Sequence, residues 1–114
     1  MRHSKKGRKF GAVRKVRKAF LKSLYRSLFM YNRIRTTEAR AKEIRPMVEK
    51  IVTRAKKDTV ANRREIAKMF DPVALKKIFT EISPRYVERK GGYTRIVRAD
   101  KRKDGSQMVI MEFV

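Results

Sequence analysis

Arg14, Lys18, Lys22 and Arg26 recur every four residues in a stretch that contains no carboxylate. Cations at that interval line one side of a helix, and a one-sided row of cations suits the phosphates of a nucleic-acid backbone. A second constellation is Pro84-Arg85-Tyr86-Val87-Glu88-Arg89-Lys90-Gly91-Gly92-Tyr93-Thr94-Arg95, where cations alternate with two tyrosines around a double glycine. Arginine grips phosphate bidentately, tyrosine stacks or hydrogen-bonds, and glycine lets a backbone approach closely. The same pattern suits a helix-to-strand loop whose tyrosines finish a core. Both readings stand, because tyrosine has an apolar body and a polar tip.

Other chemistries lack their residues. His3 is the single histidine and sits among Arg2, Lys5, Lys6, Arg8 and Lys9, so neither a histidine triad nor a zinc site is expected. Cysteine is absent, which excludes disulfides and thiolate metal sites. The acids are scattered, with no pair spaced as general acid and base and no cluster fit for a divalent-metal nuclease. Gly91-Gly92 lacks the further glycine and the Lys-Ser/Thr of a mononucleotide cradle. We expect no catalytic site, metal, cofactor or small-molecule substrate.

The elements that carry these groups follow from periodicity. Val16, Phe20, Leu24 and Leu28 repeat every four residues, which predicts a helix from Ala12 to about Asn32 with its basic row opposite an apolar one. Arg33–Thr36 reads as a short extended segment, and Thr36 or Thr37 can cap the next helix, with Glu38 in its first turn. That helix runs to about Lys57 on Ala41, Ile44, Val48, Ile51 and Ala55, and Pro46 predicts a kink or a break into two helices. Val60–Phe70 reads as a shorter helix with Ile66, Met69 and Phe70 inward. Asp71-Pro72 reads as the cap of a fourth helix carrying Leu75, Ile78, Phe79 and Ile82, stopped by Pro84. Tyr93–Ala99 and Met108–Val114 are strand-like, joined by a charged loop with an Asp104-Gly105 turn. The expected fold is α+β in two layers. About four helices pack on one face of a small mixed sheet, formed by the C-terminal hairpin and a short strand near 33–36. The expected domains are a basic extension over 1–11 and a single α+β domain over 12–114.

Across 114 residues, 33 Lys and Arg face 11 Asp and Glu, a formal net charge of +22. So large an excess repels itself unless a polyanion neutralises it. Arg2 to Arg35 holds 13 of the 33 cations and no acid, so the basic edge lies at one end of the chain. No apolar run approaches the ~20 residues of a membrane span. No apolar stretch follows Met1-Arg2-His3-Ser4-Lys5-Lys6, so a secretory signal is not expected, and the cytoplasm is.

Three stretches carry a family resemblance. They are Met1-Arg2-His3 with Gly7-Arg8-Lys9 and Gly11; Arg33-Ile34-Arg35-Thr36-Thr37 with Ala41-Lys42-Glu43 and Arg45-Pro46-Met47-Val48-Glu49-Lys50; and Pro84-Arg85-Tyr86 through Arg89 with Gly91-Gly92-Tyr93-Thr94-Arg95-Ile96. Together, in order along nearly the whole chain, they resemble the family of the seventeenth protein of the bacterial large ribosomal subunit. Thr59–Leu75 resembles that family least. The resemblance implies a structural protein bound to large-subunit ribosomal RNA near the outer end of the peptide exit tunnel, with neighbouring ribosomal proteins as partners. The residues expected to meet RNA are Arg2, His3, Lys5, Lys6, Arg8 and Lys9 in the extension; Arg14, Lys15, Lys18, Lys22 and Arg26 on the first helix; Arg33 and Arg35; and Arg85, Tyr86, Arg89, Lys90, Tyr93 and Arg95. Two rival readings are weighed against this. A DNA-binding nucleoid or transcriptional protein would use the helices at 60–70 and 72–83, where the second offers little beyond Lys76 and Lys77 to base edges. An RNA-processing enzyme would need the acids or histidines that are missing.

Overall fold

A computed structural model describes residues 14–114. The stretch 1–11, with Arg2, His3, Lys5, Lys6, Arg8 and Lys9, and the expected helix start at Ala12 lie outside the described residues. The elements run α1 (Arg14–Tyr31), β1 (Arg33–Thr37), α2 (Glu38–Ala55), α3 (Val60–Ala67), α4 (Pro72–Lys77), β2 (Thr94–Lys101) and β3 (Gln107–Phe113). This is the α+β arrangement, with helices on one face of a three-stranded sheet.

The sheet has the order β1-β3-β2, and both pairings are antiparallel, not mixed. The reason is positional: β1 and β2 run the same way but never touch, because β3 lies between them. Arg33 stands opposite Glu112 and Thr37 opposite Met108, while Arg95 faces Glu112 and Val97 faces Ile110 from the other side. Side chains alternate across a strand, so Val109, Met111 and Phe113 enter the core and Ile110 and Glu112 face away. The hairpin turns at Arg102–Ser106, where Gly105 takes φ 87° and donates its N–H to the Arg102 carbonyl at 2.9 Å, as an Asp-Gly turn requires.

A file of rings joins the elements. Tyr25 and Phe29 of α1 each meet Phe70 edge-on at 5.7 and 5.4 Å; Phe29 meets Phe113 of β3 at 5.2 Å; Phe113 meets Tyr86 at 6.3 Å; and Tyr86 meets Tyr93 at 5.2 Å. Ala41, Ile44, Val48, Ile51 and Ala55 bury along α2 at the expected spacing, with Val52 added to them. Thr37, not Thr36, caps α2, accepting the Arg40 N–H at 3.4 Å, while Thr36 is buried in the sheet.

Two expectations from proline change. Pro46 does not split α2, which is continuous from Glu38 to Ala55. Proline withholds one bond from the Lys42 carbonyl, and both residues lie on the exposed side, open to solvent. Pro84 does not stop the fourth helix either. After Lys77 the chain widens into a π-helical turn over Ile78–Ile82, in which the Ser83 N–H bonds the Ile78 carbonyl, then tightens into a 3₁₀ turn over Ser83–Tyr86. The missing proline donor is absorbed by that change of pitch. Asp71 stands at the N-cap of α4 ahead of Pro72, as expected, but makes no side-chain cap bond, its carboxylate being held by Arg26.

The first helix departs furthest. Its buried residues are Tyr25, Leu28 and Phe29, with Leu21 and Leu24 packed beside them, whereas Val16 is 57% exposed. Lys18 lies two turns before Tyr25, and Lys22 two turns before Phe29, so these lysines continue the line of the core aromatics instead of opposing it. The four-residue repeat drifts by about 40° per step around a helix of 3.6 residues per turn, so a row of such residues cannot keep to one side over 12 positions.

α1 ends at Asn32, whose φ of 66° is left-handed and whose side-chain oxygen is buried without a hydrogen-bond partner. Its backbone is fully used, donating to the Leu28 carbonyl at 2.8 Å and accepting from the Phe113 N–H at 3.2 Å. Asn32→Gly is therefore expected to leave stability unchanged or raise it, and Asn32→Val to lower it by about 1–2 kcal/mol or more. Denaturant midpoints of the two variants test this.

Candidate nucleic-acid interface

The outer face of the sheet is built by register. Arg33, Glu112 and Arg95 form one cross-strand row, and Arg35, Ile110 and Val97 the next. Among the described residues no helix covers this side, and Arg33, Arg35 and Arg95 are exposed, as is Val97. Arg95 Nε reaches Glu112 Oε1 at 2.9 Å, and Arg33 Nε lies 4.0 Å from Oε2. Glu112 thus holds two guanidinium groups over the sheet while their side chains stay 62% and 59% exposed. Each keeps free N–H groups for a planar or tetrahedral oxyanion.

The loop before β2 enters at the same end of the sheet and carries exposed Arg85, Arg89 and Lys90. It is fastened by one face of α2. Glu49 accepts the Tyr93 N–H at 3.1 Å through one oxygen and the Thr94 hydroxyl at 3.3 Å through the other. One turn on, Thr53 shares a hydrogen bond with the Tyr93 hydroxyl at 3.2 Å. Lys56 then donates to that hydroxyl at 3.0 Å and to the Arg89 carbonyl. Arg45 adds a bond to the Thr94 carbonyl at 3.4 Å. Sequence reasoning missed these four residues, although Glu49, Thr53 and Lys56 stand at the spacing of one helix face. Gly91 and Gly92 take φ of 153° and 63°, and a Cβ at either would meet nothing within 4 Å. The positive φ at both positions is what the backbone turn requires of them.

Tyr86 and Tyr93 are 3% and 1% exposed. Their rings close the aromatic file, so neither is free to stack on a base. The Tyr86 hydroxyl donates to the Val114 carbonyl at 2.7 Å, and burial raises its pKa. Burial pushes the Tyr93 phenol up as well, but the bonded Lys56 ammonium and Thr53 hydroxyl carry it below the usual tyrosine value.

On α1, Arg14, Lys15, Lys18 and Lys22 are exposed. Arg26 is engaged: its Nε and Nη2 donate to the two Asp71 oxygens at 2.7 and 3.1 Å, pinning α1 to the start of α4. The first-helix candidates are therefore not one surface. Lys18 and Lys22 border the gap toward α2, and Arg26 is a fastener. The structure thus brings Arg33, Arg35 and Arg95 together, with Arg85, Arg89 and Lys90 next to them, and separates these from the α1 row. Among the described residues no group of acids or histidines could hold a metal ion, and no helix is long and apolar enough to cross a membrane.

A family model described as ribosomal protein L17 matches residues 20–114. The chain belongs to the ribosomal protein L17 family. The large ribosomal subunit protein bL17 of Hydrogenobaculum sp. (strain Y04AAS1) is 43% identical, covering 100% of this chain and 99% of that protein. Its namesake in Fusobacterium nucleatum is 47% identical, covering 100% of both, and that of Staphylococcus haemolyticus is 47% identical over 94% of this chain and 97% of that protein. The L17 family is one of structural ribosomal proteins and not of enzymes, and it gives no support to a DNA-binding or RNA-cleaving role. Within an L17 chain the two longer signature stretches acquire a physical meaning. Arg45 and Glu49 of the central one bond Tyr93 and Thr94 of the C-terminal one, so together they form one clamp.

Two outcomes follow. Glu49→Leu leaves the buried Tyr93 N–H without its acceptor, which costs about 1–3 kcal/mol; amide exchange at 91–94 is expected to accelerate before the core opens. Arg26 holds the Asp71 carboxyl below the usual aspartate range. A carboxyl depressed on folding contributes stability that is complete above its unfolded pKa and is lost as pH falls through the folded value. The melting temperature should therefore drop on acidification below about pH 4, with a smaller drop in Asp71→Asn, measured by thermal scans across pH.

Proposed function

We propose that this chain binds large-subunit ribosomal RNA and stabilises its folded form, as a structural constituent of the large subunit in the bacterial cytoplasm. The observation that carries this reading is the open sheet face, where Arg33, Arg35 and Arg95 are exposed and fixed by strand register, next to the Arg85, Arg89 and Lys90 loop. Guanidinium groups on a rigid sheet lose little freedom on binding and present their donors in a set geometry. Phosphate contact and counterion release supply the affinity, while the shape of the rigid face selects where the RNA fits. We further propose that residues 12–114 act as one α+β body. The basic stretch 1–11, with Arg2, His3, Lys5, Lys6, Arg8 and Lys9, adds sequence-independent phosphate contact together with Arg14 and Lys15. Neighbouring ribosomal proteins complete the surroundings. By the family resemblance, the position is near the outer end of the peptide exit tunnel.

If ~8 phosphates are neutralised, binding to ribosomal RNA weakens roughly 10³- to 10⁴-fold from 50 to 200 mM salt. Replacing Arg33, Arg35 and Arg95 together by alanine should lower the slope of log affinity against log salt by about two to three. A salt titration by filter binding reads both, and an unchanged slope in the triple variant would show that the sheet face does not meet RNA.

A further inference from the structure

α1 changes character halfway along its body-facing side. Tyr25 and Phe29 bury, whereas Lys18 and Lys22, two turns earlier, border a groove of about 620 Å³ between α1 and α2. Ile44, Met47 and Met69 form its floor. A second groove of about 620 Å³ lies between α2 and α3 and shares Met47 and Met69 with the first, so the two make one trench across α2. Met47 is 43% exposed. In the first groove Glu43 is the one carboxylate among the lining residues, against Lys18, Lys22 and Lys68. The second groove adds Lys50, Arg54 and Lys57 against Glu49 and Glu65, and Glu65 pairs with Arg54 and Lys68, so the trench is an apolar floor whose rim keeps a net positive charge at Lys18, Lys22, Lys50 and Lys57.

We propose that this trench receives a short segment of a neighbouring ribosomal protein in which apolar side chains alternate with carboxylates. The inference rests on the chain's place in the large subunit. The rim charge calls for anions, and the floor calls for aliphatic side chains. A nucleotide satisfies only the first condition, because Ile44, Met47 and Met69 offer nothing to the donors and acceptors on a base edge, which would be buried unpaired. Methionine adapts its thioether to irregular apolar partners, as grooves that accept peptide segments use it. Met47 and Met69, shared by the two grooves, suit a segment with side-chain anchors on either side of them, about a helical turn apart.

The test uses the full chain assembled into large subunits, with a photoreactive benzophenone amino acid at position 47. Illumination is expected to cross-link it to one ribosomal protein, at a mapped peptide carrying Asp or Glu within a few residues of an aliphatic side chain. That peptide, synthesised, should bind the free protein at least ~10-fold more weakly when Lys18 and Lys22 are both changed to Glu, in a variant whose melting curve matches the parent. Cross-linking to RNA alone, no cross-link in assembled subunits, or peptide binding indifferent to the two charge reversals would each overturn the proposal. Sedimentation of the unlabelled chain, run in parallel, separates the two readings. Failure of that chain to enter large subunits counts against the proposed function itself. Where only the position 47 variant fails to enter, the label is moved to position 69 and judged by the same outcomes.

Discussion

The insertion of β3 between β1 and β2 is the constraint on which the rest depends. From Val109 on its side chains alternate, so Val109, Met111 and Phe113 face the helices while Ile110 and Glu112 face out. Register then decides where the arginines of the two flanking strands point, because Arg33 and Arg95 sit opposite Glu112, and Arg35 and Val97 opposite Ile110. A slip of one residue would turn Phe113 out of the ring file and point the arginines at the core. The energy of burying Phe29 against Phe113 therefore also holds the cations outward. Folding and the candidate interface are two faces of one strand pairing.

The acids explain how a chain with this charge folds at all. Asp71 meets Arg26, Glu38 meets Lys42, Asp58 meets Arg63, Glu65 meets Arg54 and Lys68, and Glu112 meets Arg33 and Arg95. Such exposed pairs are individually worth little. Their effect is local: Asp71–Arg26, Glu65–Arg54 and Glu112 with Arg33 and Arg95 relieve repulsion where elements approach, and the others act within one helix or turn. Glu49 is used differently, accepting bonds from backbone and hydroxyl donors in place of a cation. It fixes the start of β2 against α2 while Lys56 holds the Arg89 carbonyl, so the cations of the Arg85–Lys90 loop are carried on a fastened segment.

Much of the fold was legible because period and capping act locally. The α2 positions Ala41, Ile44, Val48, Ile51 and Ala55, the Asp-Gly turn and the two C-terminal strands follow from spacing alone, and Thr37 or its neighbour was expected as a cap. What spacing could not carry was competition between elements. The central place of β3 depends on pairing over 70 positions of chain. The Tyr86 and Tyr93 rings were equally suited to core and interface until Phe113 supplied a partner for one of them. Arg26 read as a phosphate ligand because Asp71, 45 residues away, was not visible as its partner. Pro46 and Pro84 were read from the donor each lacks, while the outcome turned on whether water or a change of helical pitch could absorb the loss.

The orientation of α1 has the same origin and a larger consequence. A four-residue repeat looks like one face on a short helix, yet it precesses, and over 18 residues the side that packs is set by what lies beneath. Beneath Tyr25, Leu28 and Phe29 lies the ring file; beneath Lys18 and Lys22 the body has receded into the groove over Met47. Burying apolar groups at those two positions would have extended the core and closed the groove. Lysines at those positions leave it open, since an ammonium group is costly to bury without a partner. The second half of the helix thus serves folding. The first half is held by it at a fixed angle, with exposed Lys18 and Lys22 at the border of that groove.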